Sequence, residues 1–286
     1  YRYAFTAIFL LGIVAQQAFA RQTEYTKYVD PFVGNADNGH TFPGACRPFG
    51  MIQTSPVTGG IGWRYCSEYV YSDSIIWGFT QDHLNGTGCM DLGDILVMPS
   101  TGKRTRSWDE YRSHFYKTQE FATPGYYSVY LTDTKVKAEL TASAHVAFHR
   151  YTYDSTDSTS VLIDLQHGPA WNDKQYHSQV NRCETHWEDT YTLVGHVQNT
   201  VWVKQDYFFV IKFNRPVASH ITLNKAADTE KGDRIVATFE GIEQGEQLLM
   251  KIAMSTTSVD GAKKNLYTEV PNWDFAAVKQ SANNEW

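Results

Sequence analysis

The sequence predicts an all-β protein, a large antiparallel sandwich of two sheets, from three observations. From Tyr126 to Met254, short runs of alternating apolar and polar residues recur at near-even spacing, each bounded by turn residues. Nothing in that span repeats apolar residues at helical spacing, so the crossover helices that a parallel sheet requires are missing from the pattern. Aromatic residues are plentiful, with 8 Trp, 18 Tyr and 15 Phe in 286 residues, which suits pleated, half-buried surfaces and also sugar binding by flat rings.

The chain opens on Tyr1-Arg2, runs through apolar residues from Ala4 to Val14 and reaches Ala18-Phe19-Ala20 before Arg21. A basic residue, a short apolar run and an A-x-A site are the parts of a secretory signal peptide, so residues 1–20 are assigned to one, with cleavage expected after Ala20. The run is too short to span a bilayer, no membrane span is expected after cleavage, and no cysteine follows the site to carry a lipid. The expected location is exported, either periplasmic or extracellular.

Tyr25 to Val29 is a short strand candidate, followed by turn chemistry through Asp30-Pro31 and the loop from Asn35 to Gly44. Met51 to Thr54 reads as a strand ended by Ser55-Pro56. A second glycine-rich loop, Thr58 to Tyr65, holds Gly59, Gly60 and Gly62 around Trp63. A third, Gly78 to Asp94, precedes the apolar run Ile95 to Pro99. The regular strands are then Tyr126 to Leu131, Val136 to Thr141, His145 to Tyr153, Val161 to Asp164, Tyr191 to Val197, Thr200 to Val203, Tyr207 to Phe213, His220 to Leu223, Arg234 to Phe239 and Leu248 to Met254. After Met254 the pattern turns helical: Asp260 to Tyr267 forms a short helix, and Pro271-Asn272 caps a second from Trp273 to Trp286, where Phe275, Val278 and Ala282 recur at helical spacing. The last helix meets no glycine or proline stop, so a further helical region is expected beyond residue 286.

A hydrophobic content of 42% is ample for a core, and the formal net charge of -6 leaves no basic stripe for a nucleic-acid partner. The four cysteines, Cys46, Cys66, Cys89 and Cys183, are too few to build a disulfide scaffold. Either one bridge forms among Cys46, Cys66 and Cys89, or the thiols are buried as small apolar groups. No C-x-x-C pair indicates a structural zinc site.

The third loop is the best site candidate. It packs Gly78, Gly86, Gly88 and Gly93 with Asp82, Asp91, Asp94, His83 and Cys89. Glycine admits positive φ and close backbone approach, and Asp, Asn and Thr close local turns, so the stretch either presents polar groups at the rim of a strand scaffold or is a wide loop capped by its own side chains. Turn capping explains its carboxylates better than acid and base roles, and their spacing matches no calcium loop, so metal ligands stay unassigned.

Read together, the loops resemble the N-terminal domain of glycoside hydrolase family 92, the exo-acting α-mannosidases. The resemblance is carried by Tyr28-Val-Asp-Pro-Phe-Val-Gly34, Gly39-His-Thr-Phe-Pro-Gly-Ala45, Pro48-Phe-Gly-Met51, Gly62-Trp63, Gly86-Thr-Gly-Cys89, Gly93-Asp-Ile95, Pro124-Gly-Tyr-Tyr-Ser-Val129 and Trp273-Asp-Phe275. It implies a galactose-mutarotase-like β-sandwich over residues 21–258, linker helices over 259–286, and a catalytic (α/α)6 barrel that lies outside this chain. It further implies inverting, calcium-dependent release of terminal α-linked mannose from mannose-containing glycans, as in N-glycan degradation, with a Glu acid and an Asp base on the barrel. No catalytic residue is therefore assigned here, the calcium ligands are expected outside this chain, and the chain alone is expected to be inactive. The chain departs from the family where Thr80-Gln-Asp-His-Leu-Asn-Gly86 replaces a usual Ser-His-Thr-His-Leu-Ser-Gly, and around Glu68.

The sandwich is expected to supply one wall of the sugar pocket. Trp63 is the first candidate, because a tryptophan among glycines offers a flat face to a pyranose; the alternative is a ring packed against its own loop. His83 and Thr87 offer hydrogen bonds to sugar hydroxyls, and Gly86 and Gly88 let backbone N–H groups approach. For His83 the alternative is a buried ring bonded to a backbone carbonyl. His40 and Cys66 complete the substrate-binding candidates. Two other functions compete: a carbohydrate-binding sandwich without hydrolysis, and a sandwich that only buttresses the barrel.

Overall fold

The computed structural model describes residues 25–102, 108–155, 157–168, 180–223 and 232–286; the signal-peptide reading lies outside them. The described residues form strands β1 (Ala45–Cys46), β2 (Gln53–Val57), β3 (Ile75–Ile76), β4 (Gly78–Thr80), β5 (Leu96–Thr101), β6 (Ser113–His114), β7 (Glu120–Thr123), β8 (Tyr126–Leu131), β9 (Val136–Ala142), β10 (Val146–Tyr153), β11 (Thr159–Asp164), β12 (Val180–Asp189), β13 (Thr192–Thr200), β14 (Lys204–Phe213), β15 (Ser219–Thr222), β16 (Arg234–Phe239) and β17 (Gln247–Ser255). Helices α1 (Val259–Glu269) and α2 (Phe275–Glu285) follow.

Two large sheets carry the fold. One has seven strands in the order β1-β2-β4-β5-β11-β16-β15, and the other eight in the order β12-β13-β14-β17-β10-β9-β8-β7. Every strand pairing in both is antiparallel, so the expected all-β sandwich is what the chain forms. The main core lies between the sheets, where Phe79, Val97, Val161 and Ile163 of one meet Tyr127, Leu140, Tyr151 and Ile252 of the other, all fully buried. Burying such side chains stabilises by roughly 1.5–3 kcal/mol each.

The eight-stranded sheet is buried on its outer face as well. Val146 and Phe148 of β10, Val210 of β14 and Ala253 of β17 pack against Ala262 and Leu266 of α1 and Phe275 of α2. Ser258 caps α1 by accepting the Gly261 N–H at 2.9 Å, and Asp274 caps α2 by accepting the Ala277 N–H at 3.0 Å. The second cap is therefore Asp274 and not the Pro271-Asn272 pair. The Trp286 indole donates to the Cys46 carbonyl at 2.9 Å, which brings the end of α2 to the edge of the seven-stranded sheet.

Three local expectations are corrected. Residues Thr26–Tyr28 form a single 3-10 turn instead of a strand. Strand β2 continues through Pro56, which pairs with Phe79, so Ser55-Pro56 does not end it. The candidate strand Thr200 to Val203 is instead the end of β13 and the tip of the β13–β14 hairpin. Strand β12, at the sheet edge, alternates half-buried Cys183, Thr185 and Trp187 with exposed neighbours, and the strand expectations omit it. The four cysteines are all free thiols, Cys66 buried and Cys89 exposed.

Candidate functional site

The first two glycine-rich loops meet the third at one end of the sandwich. Gly62, with φ of 84°, turns the chain into a 3-10 turn at Trp63–Tyr65, and this projects Trp63 from the sheet edge. The Trp63 ring is 49% exposed. It meets the His40 ring edge-on with centroids 5.1 Å apart, and its far edge lies directly over Gly88, where any Cβ would overlap it. Glycine at 88 is thus required by the ring. Thr87 and Cys89 flank that contact and are exposed, and the Thr87 hydroxyl accepts the Cys89 N–H at 3.3 Å.

His40 holds the first loop to the third. Its backbone takes φ of 53°, its carbonyl accepts the Gly86 N–H at 2.6 Å, and its buried Nε2 has no hydrogen-bond partner. A buried ring nitrogen with no partner among the described residues is uncommon. Cys66 closes the 3-10 turn beneath Trp63 and is buried, and burial with the neighbouring Cys89 pushes its thiol up to about 11. It backs the wall and presents no thiolate.

His83 lies one layer deeper. Its ring packs on Phe42 with centroids 4.9 Å apart, Nδ1 is 2.8 Å from the Gln53 carbonyl, and Nε2 is 3.0 Å from the Thr80 hydroxyl and 3.4 Å from Glu68 Oε2. The contact with a carbonyl puts the proton on Nδ1. Burial lowers the pKa of His83 against the pull of Glu68. With 2% exposure and both nitrogens engaged, it positions the loop and leaves no ring nitrogen for a sugar.

Beneath the rim is a group of buried acids, Glu68 with Asp82 and Asp94, the last two expected from the sequence to cap turns. The Glu68 carboxylate accepts from Thr80 at 2.9 Å and lies 2.7 Å from His167 Nε2. Asp82 accepts the Asp94 N–H at 2.7 Å, which is a turn-closing role, and Asp94 accepts from the Asn199 side-chain amide. Among the described residues Asp82 Oδ2, Asp94 Oδ2 and Asn199 Oδ1 are buried without a close hydrogen-bond partner, although the Tyr207 hydroxyl lies near Asp82. Desolvation pushes the Asp82 carboxyl up to about 6, and desolvation followed by repulsion from Asp82 and Glu68 raises that of Asp94. These acids are too deep to touch a sugar on the rim.

Calcium takes six to eight oxygen ligands, and among the described residues no three His, Cys, Asp or Glu side chains are grouped to hold a metal ion. The wall formed by Trp63, His40, Thr87 and Gly88 does not fit a calcium cage. What it offers is an aromatic face, a hydroxyl and open backbone, the chemistry of carbohydrate contact. Beside it, an apolar cleft of about 340 Å³ lies between Tyr25, Val29, Phe42, Asn85 and Trp286.

Residues 28–255 match the Glycosyl hydrolase family 92 N-terminal domain. The chain belongs to that family. It superposes with a TM-score of 0.81 and 29% identity on the family GH92 α-mannosidase BT3965 from Bacteroides thetaiotaomicron in complex with mannoimidazole, covering 92% of this chain and 36% of that one. The inverting mannosidase BT2199 from the same organism shares the fold at a TM-score of 0.75 and 24% identity, over 93% of this chain and 36% of that one. A protein of Arthroderma benhamiae described as an uncharacterized secreted glycosidase is 24% identical over 99% of this chain and 40% of its own length. The chain thus spans well under half the length of these relatives.

Proposed function

We propose that the intact protein is an exported glycosidase that releases terminal α-linked mannose from glycans, and that this chain is its sandwich half, with residues 21–258 forming the domain and 259–286 the linker to an (α/α)6 barrel. The observation that supports this most is the 29% identity, across 92% of the chain, to an α-mannosidase solved with mannoimidazole. The rim described above adds an exposed tryptophan at the end of the sandwich.

In this reading Trp63 covers the apolar face of the terminal sugar, Thr87 and the backbone around Gly88 meet its hydroxyls, and His40, His83 and Cys66 hold that wall in place. Inversion needs two carboxyl groups about 6.5–9.5 Å apart flanking the scissile bond. The buried Glu68, Asp82 and Asp94 cannot flank it, so acid and base come from the barrel, as do the calcium ligands. The relative described as secreted and the signal-like start support export, and among the described residues no helix is long and apolar enough to cross a membrane.

The test is to assay the intact gene product on mannobioses with calcium and with chelator, following the anomer first released by NMR. Release of β-mannose that chelator abolishes is the expected result. Glycan binding without cleavage would identify a carbohydrate-binding sandwich instead, and cleavage indifferent to chelator would remove calcium from the reading.

A further inference from the structure

The tip of the β13–β14 hairpin breaks the usual chemistry of turns. Its three connecting residues are Val201, Trp202 and Val203, with no Gly, Asn, Asp or Pro to favour the bend. Trp202 is 59% exposed and Val203 62%. What holds the bend is the third glycine-rich loop. The Asp91 carboxylate accepts from Gln205 Nε2 at 3.1 Å, and the backbone of Trp202 and Val203 lies against it. Three residues on, Asp94 takes the side chain of Asn199 from the other strand of the hairpin. Both legs of the hairpin are therefore fastened to the segment that follows Gly88.

This fastening fixes Trp202 relative to Trp63. The Trp63 ring rests on Gly88, and Gly88 is three residues from Asp91, so the two anchor points are at most roughly 11 Å apart along the chain. An oligosaccharide whose terminal ring sits against Trp63 has its next rings within reach of the hairpin. Trp202 and Val203 leave an apolar tip exposed on that hairpin. The flat indole suits the apolar face of a pyranose.

We propose that Trp202 is a platform for the second sugar of the glycan, the one that leaves when the terminal residue is released. This rests on the carbohydrate reading of the Trp63 rim, and it assigns Trp202 to recognition of the leaving sugar. Asp91 is a positioning residue for it.

The test uses the intact gene product, wild type and Trp202→Ala, with mannobiose and with α-mannosyl fluoride, which has the same terminal sugar and no second ring. The expected result is a KM for mannobiose raised about tenfold, with the fluoride unchanged and partial recovery in Trp202→Phe. Asp91→Ala, which frees the tip, should shift mannobiose in the same direction. Equal losses on both substrates, or a lowered Tm with no split between them, would show that Trp202 packs against another part of the protein and would overturn the proposal. Calorimetric titration of mannobiose and mannose onto the same variants separates the two readings. A protein that cleaves nothing yet loses mannobiose affinity in Trp202→Ala refutes the hydrolase and keeps the platform. Undiminished mannobiose affinity refutes the platform whatever the activity.

Discussion

On the helix-backed side of the molecule, Glu139 of β9 is buried but receives two hydrogen bonds from Arg150 at 2.8 Å and one from Tyr126 at 2.6 Å, and its carboxyl is held below the usual range despite burial. On the loop side, Asp82 and Asp94 are equally buried, face each other and Glu68, and leave oxygens unpaired. Backbone strain divides the same way. Among the described residues, the non-glycine positions with positive φ are Asp37, His40, Phe49, Glu68, Leu92 and Ile95, in or beside the loops of the first hundred residues, and Lys135 elsewhere. A β-branched residue such as Ile95 enters that region only when its surroundings force it to. One side of the sandwich is satisfied packing; the other stores unpaired acceptors and strain beneath the rim that carries Trp63.

The comparison breaks first at Phe148, which is fully buried on the outer face of the eight-stranded sheet and meets Phe275 with ring centroids 5.3 Å apart. Phe148→Ala should destabilise by about 3–5 kcal/mol and loosen α2. Chemical denaturation checks the size, and hydrogen exchange in residues 259–286 checks the place. A loss below about 1 kcal/mol would mean that the helices are not held by this face.

The acid pair gives the next largest effect and a sign. Both carboxyls are raised in the folded state, Asp82 to about 6 from an ordinary value near 3.8, and Asp94 in the same direction. A group whose folded pKa is raised favours the fold below its unfolded pKa, and that contribution is lost as pH climbs through the folded value. Stability should therefore fall as pH rises from about 4 through about 6, by roughly 1–3 kcal/mol for the Asp82 shift, and Asp94 adds in the same direction. Asp94→Asn keeps the acceptor for Asn199 and places a donor near Asp82, so it should flatten the profile and raise Tm at pH 8. A wild-type profile already flat across that range would show the pair fully compensated.

How much of this was legible in the sequence follows from the same division. Strand β8, Tyr126–Leu131, and strand β16, Arg234–Phe239, are readable to the residue from their β-branched and aromatic residues and bounding turns, although both are buried on both faces. The tip Val201-Trp202-Val203 reads as strand because nothing in it says turn; the acceptor that holds the adjoining Gln205, Asp91, is more than a hundred residues earlier. Likewise the burial of Glu68 with His167, and of Asp94 with Asn199, depends on contacts across the fold that no local pattern encodes. Trp63 stood out among its glycines, but its seat on Gly88 and its edge contact with His40 emerge only when three loops are brought together.

Two glycines of the third loop sharpen the contrast at its finest scale. Gly86 has φ of 69° with open space around it, whereas Gly88 lies under the Trp63 ring. Gly86→Ala should therefore cost about 1–2 kcal/mol of backbone strain and leave the ring where it is. Gly88→Ala should do the reverse, displacing the ring with little change in Tm while raising KM for the terminal sugar several-fold. Measuring Tm and KM for both variants tests whether Trp63 contacts the sugar. If Gly88→Ala moves Tm and not KM, the indole is packing for its own loop, and the rim loses its first residue.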